Sequence, residues 1–308
     1  VSGAVDAAIA ELRAALGDRV RTGVPMAPMT TFRIGGPAAI YLEVSTDVDL
    51  DVVSSTMRST GLPVAIVGKG SNLLVDDAGF PGVVLRLGRG YRWIAREGEV
   101  LTAGAATPLP ALAGEASRHG LAGLAFAVAI PASFGGGVRM NAGAHGGSLG
   151  DVVTSARGVD LDSGHHQVWD VADLAFGYRS SGLPRSAVIT VATVRLVAGD
   201  LVRIRAAMDE ARRWRRETQP LAEPNCGSVF TNPPGDHAAR LIDEAGLKGL
   251  RVGGAHVSTK HANFIVADPG ARAADVRRLI DQIREAVRAR AGVDLVPEVR
   301  LIGASDGG

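Results

Sequence analysis

The sequence predicts an α+β protein built from two or three compact units. Short stretches rich in branched residues, separated by Gly, Pro and Asp, dominate the chain up to about residue 200. Amphipathic helical patterns open the chain and recur in its last third. The composition turns basic near residue 200, which marks the best candidate domain boundary. A length of 308 residues supports cores large enough to need no disulfide or metal staple.

Residues 5–16 carry apolar side chains at helical spacing and end at Gly17, a C-cap signal. Strands are expected at residues 39–44, 64–67, 83–87 and 100–103. Residues 108–119 read as a helix closed by Gly120, residues 170–174 as a shorter element, and residues 188–197 again as strand. Residues 201–217 form a strongly basic helical pattern. Beyond it, helices at 236–245 and 273–290 enclose a strand at 262–267, so the last third reads as an α+β unit of its own. In the second of these helices Val276, Leu279, Ile280, Ile283 and Val287 form one apolar stripe, which belongs in a core.

With 46% hydrophobic residues and a net charge of +1, the chain lacks the basic excess of a nucleic-acid binder. Its 40 glycines follow no regular period, which excludes a fibre or repeat array. No apolar run approaches the length of a membrane span and no positively charged signal segment opens the chain, so a cytoplasmic protein without membrane or nucleic-acid partners is expected. The single Cys226 forms no internal disulfide, in keeping with a reducing compartment.

Two glycine-dense segments stand out, at residues 67–74 and 130–147. Glycine has no Cβ and tolerates positive φ, so successive N–H groups can converge on a phosphate or on the edge of a flat ring. Two such segments suggest a cofactor with both a pyrophosphate and a ring system; the ordinary alternative is glycine for tight turns. Neither fits a common nucleotide fingerprint. Leu73 stands where the dinucleotide-binding pattern has its third glycine, the stretch 75–84 reads as turn and strand, and no Walker Lys-Ser or Lys-Thr pair follows a glycine at the required spacing. In residues 219–233 proline and glycine fix the backbone and hold Ser228 on a rigid turn. Cys226 has no nearby His or metal-ligand spacing and reads as a small buried residue. The seven histidines form no metal motif and no Gly-x-Ser-x-Gly elbow is present, so no metal site is expected.

Several segments then occur in one order: Thr30-Thr31-Phe32-Arg33-Ile34-Gly35-Gly36, Gly68-Lys69-Gly70-Ser71-Asn72-Leu73-Leu74, the run from Ile130, and Tyr178-Arg179-Ser180-Ser181. They continue with residues 226–230, Val257-Ser258-Thr259-Lys260-His261-Ala262-Asn263-Phe264 and Pro297-Glu298-Val299-Arg300-Leu301-Ile302-Gly303. Together they resemble the UDP-N-acetylenolpyruvoylglucosamine reductase family over nearly the whole chain. The resemblance implies an FAD-binding domain of the vanillyl-alcohol-oxidase (PCMH) type in two subdomains, residues 1–76 and 77–199, with a C-terminal α+β substrate-binding domain at 200–298 and the tail 299–308 packed on the first subdomain. In that domain type the pyrophosphate lies on loops between strands, which explains the failed Rossmann pattern. It further implies an NADPH-dependent reduction of the enolpyruvyl ether of UDP-N-acetylglucosamine to UDP-N-acetylmuramate in peptidoglycan synthesis, by a monomer whose partner is a small UDP-sugar.

The same resemblance implies residue roles. FAD contacts fall on Gly68, Lys69, Gly70, Ser71, Asn72 and Leu73 and on Pro131, Ala132, Ser133, Gly136, Gly137, Asn141 and Gly143. Substrate contacts fall on Tyr178, Arg213, Arg216, Asn232 and Lys260, and the catalytic set is Ser228 as proton donor with Arg179 and Glu298. Each catalytic residue has an ordinary reading beside this one. Arg179 reads as a solvated charge, Ser228 as a turn residue, and Glu298, after Pro297, as an exposed carboxylate at a strand entrance. The chain departs from the family pattern at Ala132, where glycine is common, at Phe134, where valine is common, and at Thr231, where lysine or arginine is frequent. Arg212, Arg213, Arg215 and Arg216 are then left to meet a diphosphate. The short connection after Arg179 resembles the type without an extra tyrosine-bearing loop, and His145 lies in no covalent flavin-attachment motif. The alternatives are another FAD oxidoreductase of the superfamily acting on an alcohol or sugar, and a flavin-binding protein without catalysis.

Overall fold

A computed structural model describes residues 2–303, so the packing expected of residues 304–308 lies outside the described residues. The chain forms two compact units. Unit 1 comprises the chain up to Thr22, Ala39–Lys69 and Gly82–Trp214; unit 2 comprises Gly23–Ala38, Gly70–Pro81 and the chain from Arg215 onward.

In unit 1 a five-stranded antiparallel sheet runs in the order His166–Asp170, Val153–Asp160, Ala187–Arg195, Val100–Gly104, Ile94–Glu97. Leu101, Leu109, Leu112, Phe134, Val138 and Val194 build one core with it. The basic helix Leu201–Thr218 adds Ile204, Met208 and Ala211, one stripe at helical spacing, to that core and leaves its arginines outside. A second sheet has the order Val20–Pro25, Pro37–Val44, Phe80–Leu87, Val64–Ile66, with Val64 opposite Val83 in a parallel pair. Leu12 of helix Ser2–Leu16 and Leu50 and Val53 of helix Asp47–Thr60 share a core with Ile40, Leu42, Val83 and Leu85.

Two elements were not legible as periodic patterns. The helix Asp47–Thr60 begins with the alternation Val48, Asp49, Leu50, Asp51, Val52, which mimics a strand. Its ends decide the matter: Thr46 and Asp49 form a reciprocal capping box, and Gly61 closes the helix at φ +66°. The strand Val153–Asp160, central between two partners, carries register shifts at Val153/Ser155 and Arg157/Gly158. These irregularities break the two-residue alternation that would reveal a strand. A Cβ at Gly158 would lie 1.9 Å from the Val188 carbonyl oxygen, so glycine is required for the approach of the neighbouring strand.

In unit 2 an antiparallel sheet of Arg251–Val252, Ala255–Val257 and Ile265–Ala267 packs with helices Ala238–Glu244 and Ala273–Ala291. The strand is shorter than the expected 262–267 because residues 258–264 turn, with Phe264 N–H donating to the His261 carbonyl at 3.0 Å. The predicted stripe Val276, Leu279, Ile280, Ile283, Val287 is buried throughout. Asp77 caps this helix from a distant part of the sequence, accepting the N–H groups of Ala273 at 2.8 Å and Ala274 at 3.1 Å. The strand Arg300–Ile302 pairs in parallel with Leu73–Val75, Arg300 opposite Leu73. Leu279→Ala should lower unfolding stability by about 2 to 5 kcal/mol in denaturant titration, because its site is fully enclosed. A loss close to zero would mean the stripe is not a core.

Candidate active site

The two glycine segments meet in unit 1. A Cβ on Gly68 would lie 2.4 Å from Ser133 Oγ, so glycine is what lets the first segment reach the second. Among the described residues the backbone N–H groups of Gly68 and Lys69 donate to no protein acceptor. In unit 2 the same is true of Gly70 and Ser71. Gly70, at φ +63°, sits so close to the Met29 carbonyl that a Cβ would approach it to 2.1 Å. Unpaired N–H groups beside positions that tolerate no side chain suit an anionic, phosphate-like ligand.

The second glycine segment behaves differently from its sequence expectation. Residues Phe134–Arg139 form a short helix with Ser133 as N-cap. The N–H groups of Phe134, Gly135, Gly136 and Gly137 are donated to Thr107 O at 2.7 Å, Ala105 O at 2.9 Å, Ser133 Oγ at 3.3 Å and Ser133 O at 2.8 Å. All four are taken by protein acceptors. The glycines here permit packing: a Cβ would lie 2.7 Å from Ala105 Cβ at Gly135 and 2.8 Å from a Leu149 methyl at Gly137. Ala132 keeps a negative φ, so its methyl group introduces no backbone conflict. His145 and Gly146, at φ +52° and +80°, turn the hairpin in which Gly147 pairs with Ala144.

Asn141 links this segment to the Arg179 loop. It is buried at φ +42°, donates to the Gly177 carbonyl at 2.9 Å and accepts Gly150 N–H at 2.7 Å. Gly177 and Ser180 exchange backbone hydrogen bonds of 3.1 and 3.3 Å across Tyr178 and Arg179. Arg179, at φ +55°, is held in a conformation uncommon for a long side chain, with its guanidinium 5.0 Å from the Tyr178 ring centroid. Ser181 fastens the loop further by donating to the Arg139 carbonyl at 2.8 Å.

In unit 2 the structure brings Ser228 and Glu298 together through the backbone. Glu298 N–H donates to the Val229 carbonyl at 2.7 Å, and Phe230 bridges Pro297. The Glu298 carbonyl accepts Asn72 Nδ2 at 3.0 Å, and Arg300 N–H donates to the Asn72 carbonyl at 3.0 Å. Glu298 is half-buried. Gly227, at φ +80°, gives its N–H to Asn225 Oδ1 at 2.9 Å, and this turn carries Ser228. Ser228 is partly open, and among the described residues its hydroxyl has no protein partner. Cys226 is buried; burial pushes its thiol up, and the Glu298 charge acts in the same direction, so it is not an activated nucleophile.

The remaining expected contacts lie on surfaces. Arg213 in unit 1 is exposed. In unit 2 Arg216 and Lys260 are exposed, with Lys260 Nζ donating to the Arg216 carbonyl at 2.6 Å, and Asn232 Oδ1 accepts Ala238 N–H at 3.1 Å. Thr231 Oγ1 donates to the Val296 carbonyl at 3.2 Å. One buried polar residue was missed by sequence reasoning. Asn263 lies within a segment of which only Lys260 had been assigned, and its signal was an asparagine set between apolar neighbours in a turn.

Two family profiles match the chain: an FAD binding domain over residues 38–168, and the C-terminal domain of UDP-N-acetylenolpyruvoylglucosamine reductase over residues 219–302. The UDP-N-acetylenolpyruvoylglucosamine reductase of Moorella thermoacetica is 44% identical over 95% of this chain and 96% of its own length. The enzyme of the same name from Heliobacterium modesticaldum is 46% identical over 92% of this chain and 90% of its own. The crystal structure of UDP-N-acetylenolpyruvylglucosamine reductase from Thermus caldophilus superposes with a TM-score of 0.81 at 38% identity, covering 92% of this chain and 99% of that one. The fold is α+β, with an FAD-binding domain followed by the α+β C-terminal domain of the family. Among the described residues no helix is long and apolar enough to cross a membrane.

Cys226 should resist a disulfide thiol reagent near pH 8 in the folded protein and react once the protein is unfolded in guanidinium. Fast stoichiometric labelling of the native protein would contradict the enclosed thiol.

Proposed function

This chain belongs to the UDP-N-acetylenolpyruvoylglucosamine reductase family, and we propose that it reduces UDP-N-acetylglucosamine enolpyruvate to UDP-N-acetylmuramate with NADPH, as a cytoplasmic monomer in peptidoglycan synthesis. It is an FAD-dependent oxidoreductase. The observation that carries the reading is the tie of Glu298 to the Ser228 segment, a 2.7 Å backbone hydrogen bond in unit 2.

FAD, when bound, would supply the hydride-transfer chemistry. In this reading it is held along residues 68–73, where the N–H groups of residues 68–71 have no protein acceptor, and by Pro131, Ala132, Ser133, Gly136, Gly137, Asn141 and Gly143. Residues 1–76 and 77–199 are the FAD-binding subdomains and residues 200–298 the substrate domain. Tyr178, Arg213, Arg216, Asn232 and Lys260 contact the UDP-sugar, whose diphosphate suits the arginines.

Reduction of the enolpyruvyl group leaves negative charge on the α carbon and its carboxylate. Arg179 stabilises that charge with charge-assisted hydrogen bonds. Ser228 donates its hydroxyl proton to the α carbon. Serine is a weak acid, but an enolate carbon is a strong base, and a positioned hydroxyl suffices where proximity is good. Glu298 orients the proton transfer, and polarises the enolate where its environment keeps it protonated.

The decisive experiment follows NADPH consumption with and without the enolpyruvyl nucleotide. Turnover should require that nucleotide; oxidation of an alcohol or sugar with oxygen, and none with the nucleotide, would overturn the reading. Under anaerobic conditions Ser228→Ala should leave flavin reduction by NADPH intact and slow substrate-dependent reoxidation by about two to four orders of magnitude. Wild-type reoxidation would make the serine a turn residue. Glu298→Gln keeps size but removes the charge and the transferable proton, so flavin content and reduction should hold while reoxidation slows strongly. Equal impairment of both half-reactions would instead indicate a misplaced cofactor.

A further inference from the structure

The Ser228 hydroxyl has no protein hydrogen-bond partner among the described residues, so its position depends on the backbone that carries it. That backbone is not part of a continuous ladder. On one side it meets Glu298 N–H at the Val229 carbonyl, 2.7 Å away. On the other side the partner is a side chain. Asn263 Oδ1 accepts Phe230 N–H at 2.9 Å, Asn263 Nδ2 donates to the Phe230 carbonyl at 2.8 Å, and the Asn263 carbonyl accepts Val229 N–H at 2.9 Å.

We infer that Asn263 is a positioning residue for Ser228, its carboxamide standing in for the missing strand partner of Phe230. A carboxamide presents one donor and one acceptor side by side, matching the N–H and C=O of a single residue. Phe230 is buried, so both of its backbone groups must be paired inside the protein. Asp lacks the donor, Leu lacks both groups, and Ala leaves both backbone atoms of Phe230 unpaired. Asn263 is itself held in place. It is 4% exposed, its N–H donates to His261 Nδ1 at 3.2 Å, and Ser258 Oγ closes the turn by accepting the N–H groups of Lys260 at 3.2 Å and His261 at 3.4 Å. This places a hydrogen-bonded turn behind the segment that carries Ser228.

The inference rests on the reading of Ser228 as proton donor, and the test separates the two. Holoenzymes carrying Asn263→Ala, Asn263→Asp, Ser228→Ala and Asn263→Ala with Ser228→Ala are compared by anaerobic rapid mixing in H2O and D2O. In Asn263→Ala, flavin reduction by NADPH should stay within about twofold of wild type. Reoxidation by the enolpyruvyl nucleotide should fall about 10- to 100-fold, with a larger solvent isotope effect. In the Ser228→Ala background the same change should add no more than about twofold. Amide exchange in peptides spanning residues 227–231 should accelerate in Asn263→Ala. Asn263→Asp keeps the volume and the acceptor for Phe230 N–H, so it gives a folded test if the alanine variant does not fold, and it should show the same selective loss of reoxidation. Unchanged reoxidation, equal slowing of both half-reactions, or full additivity with Ser228→Ala would overturn the positioning role. Wild-type reoxidation in Ser228→Ala alone would instead remove the proton-donor reading, and this inference with it.

Discussion

The parallel pairing of Arg300–Ile302 with Leu73–Val75 is the constraint on which unit 2 depends. It closes a loop of more than two hundred residues, and the loop-closure entropy is offset by the burial of Leu74, Val229, Phe230 and Leu295 in one core. Its register places Asn72 against the Glu298 carbonyl, and the Glu298 N–H then reaches the Val229 carbonyl. The end of the first glycine segment, the serine-bearing segment and the carboxylate are thereby joined in one backbone network. A slip of one residue would turn every side chain of the short strand to the other face. Glu298 is half-buried because this pairing holds it, although its local sequence is that of an exposed strand entrance.

Glycine serves two separate purposes in this protein. At Gly68 and Gly70 the missing Cβ clears space beside backbone N–H groups that are left without protein acceptors. At Gly135, Gly137 and Gly158 it allows one element to lie directly on another, and the N–H groups of Gly135 and Gly137 are taken by the protein itself. Both kinds look alike in composition. Only the surrounding contacts distinguish a glycine beside N–H groups without protein acceptors from one that admits a neighbouring helix or strand.

Buried asparagines complement this arrangement. Asn141 ties the Gly177 carbonyl to the Gly150 N–H in unit 1, and Asn263 pairs both backbone groups of Phe230 in unit 2. Each carboxamide supplies hydrogen bonds that irregular backbone cannot obtain from a sheet, so the loops beside Arg179 and Ser228 are ordered without being strands. The short hairpin that sets Arg179 at φ +55° is held by the exchange between Gly177 and Ser180 and by the bonds of Asn141 and Ser181.

The sequence by itself determined the elements whose signal is local. The stripe from Val276 to Val287 repeats at helical spacing, Gly17 and Gly120 end helices, and the branched runs at residues 64–67, 83–87 and 100–103 form strands, because propensity and periodicity act within a few residues. The ordered motifs likewise carried the family and its expected site residues. Tertiary structure alone decided the rest. The bulged strand Val153–Asp160 has no regular alternation, and it exists because two neighbouring strands complete its hydrogen bonds. The helix Asp47–Thr60 depended on its caps over an ambiguous apolar pattern. Pairing Asn72 with Glu298, or Asn263 with Phe230, joins residues far apart in the chain. Such contacts are set by which buried polar groups must find a partner once the core has closed, a condition that no local window of sequence contains.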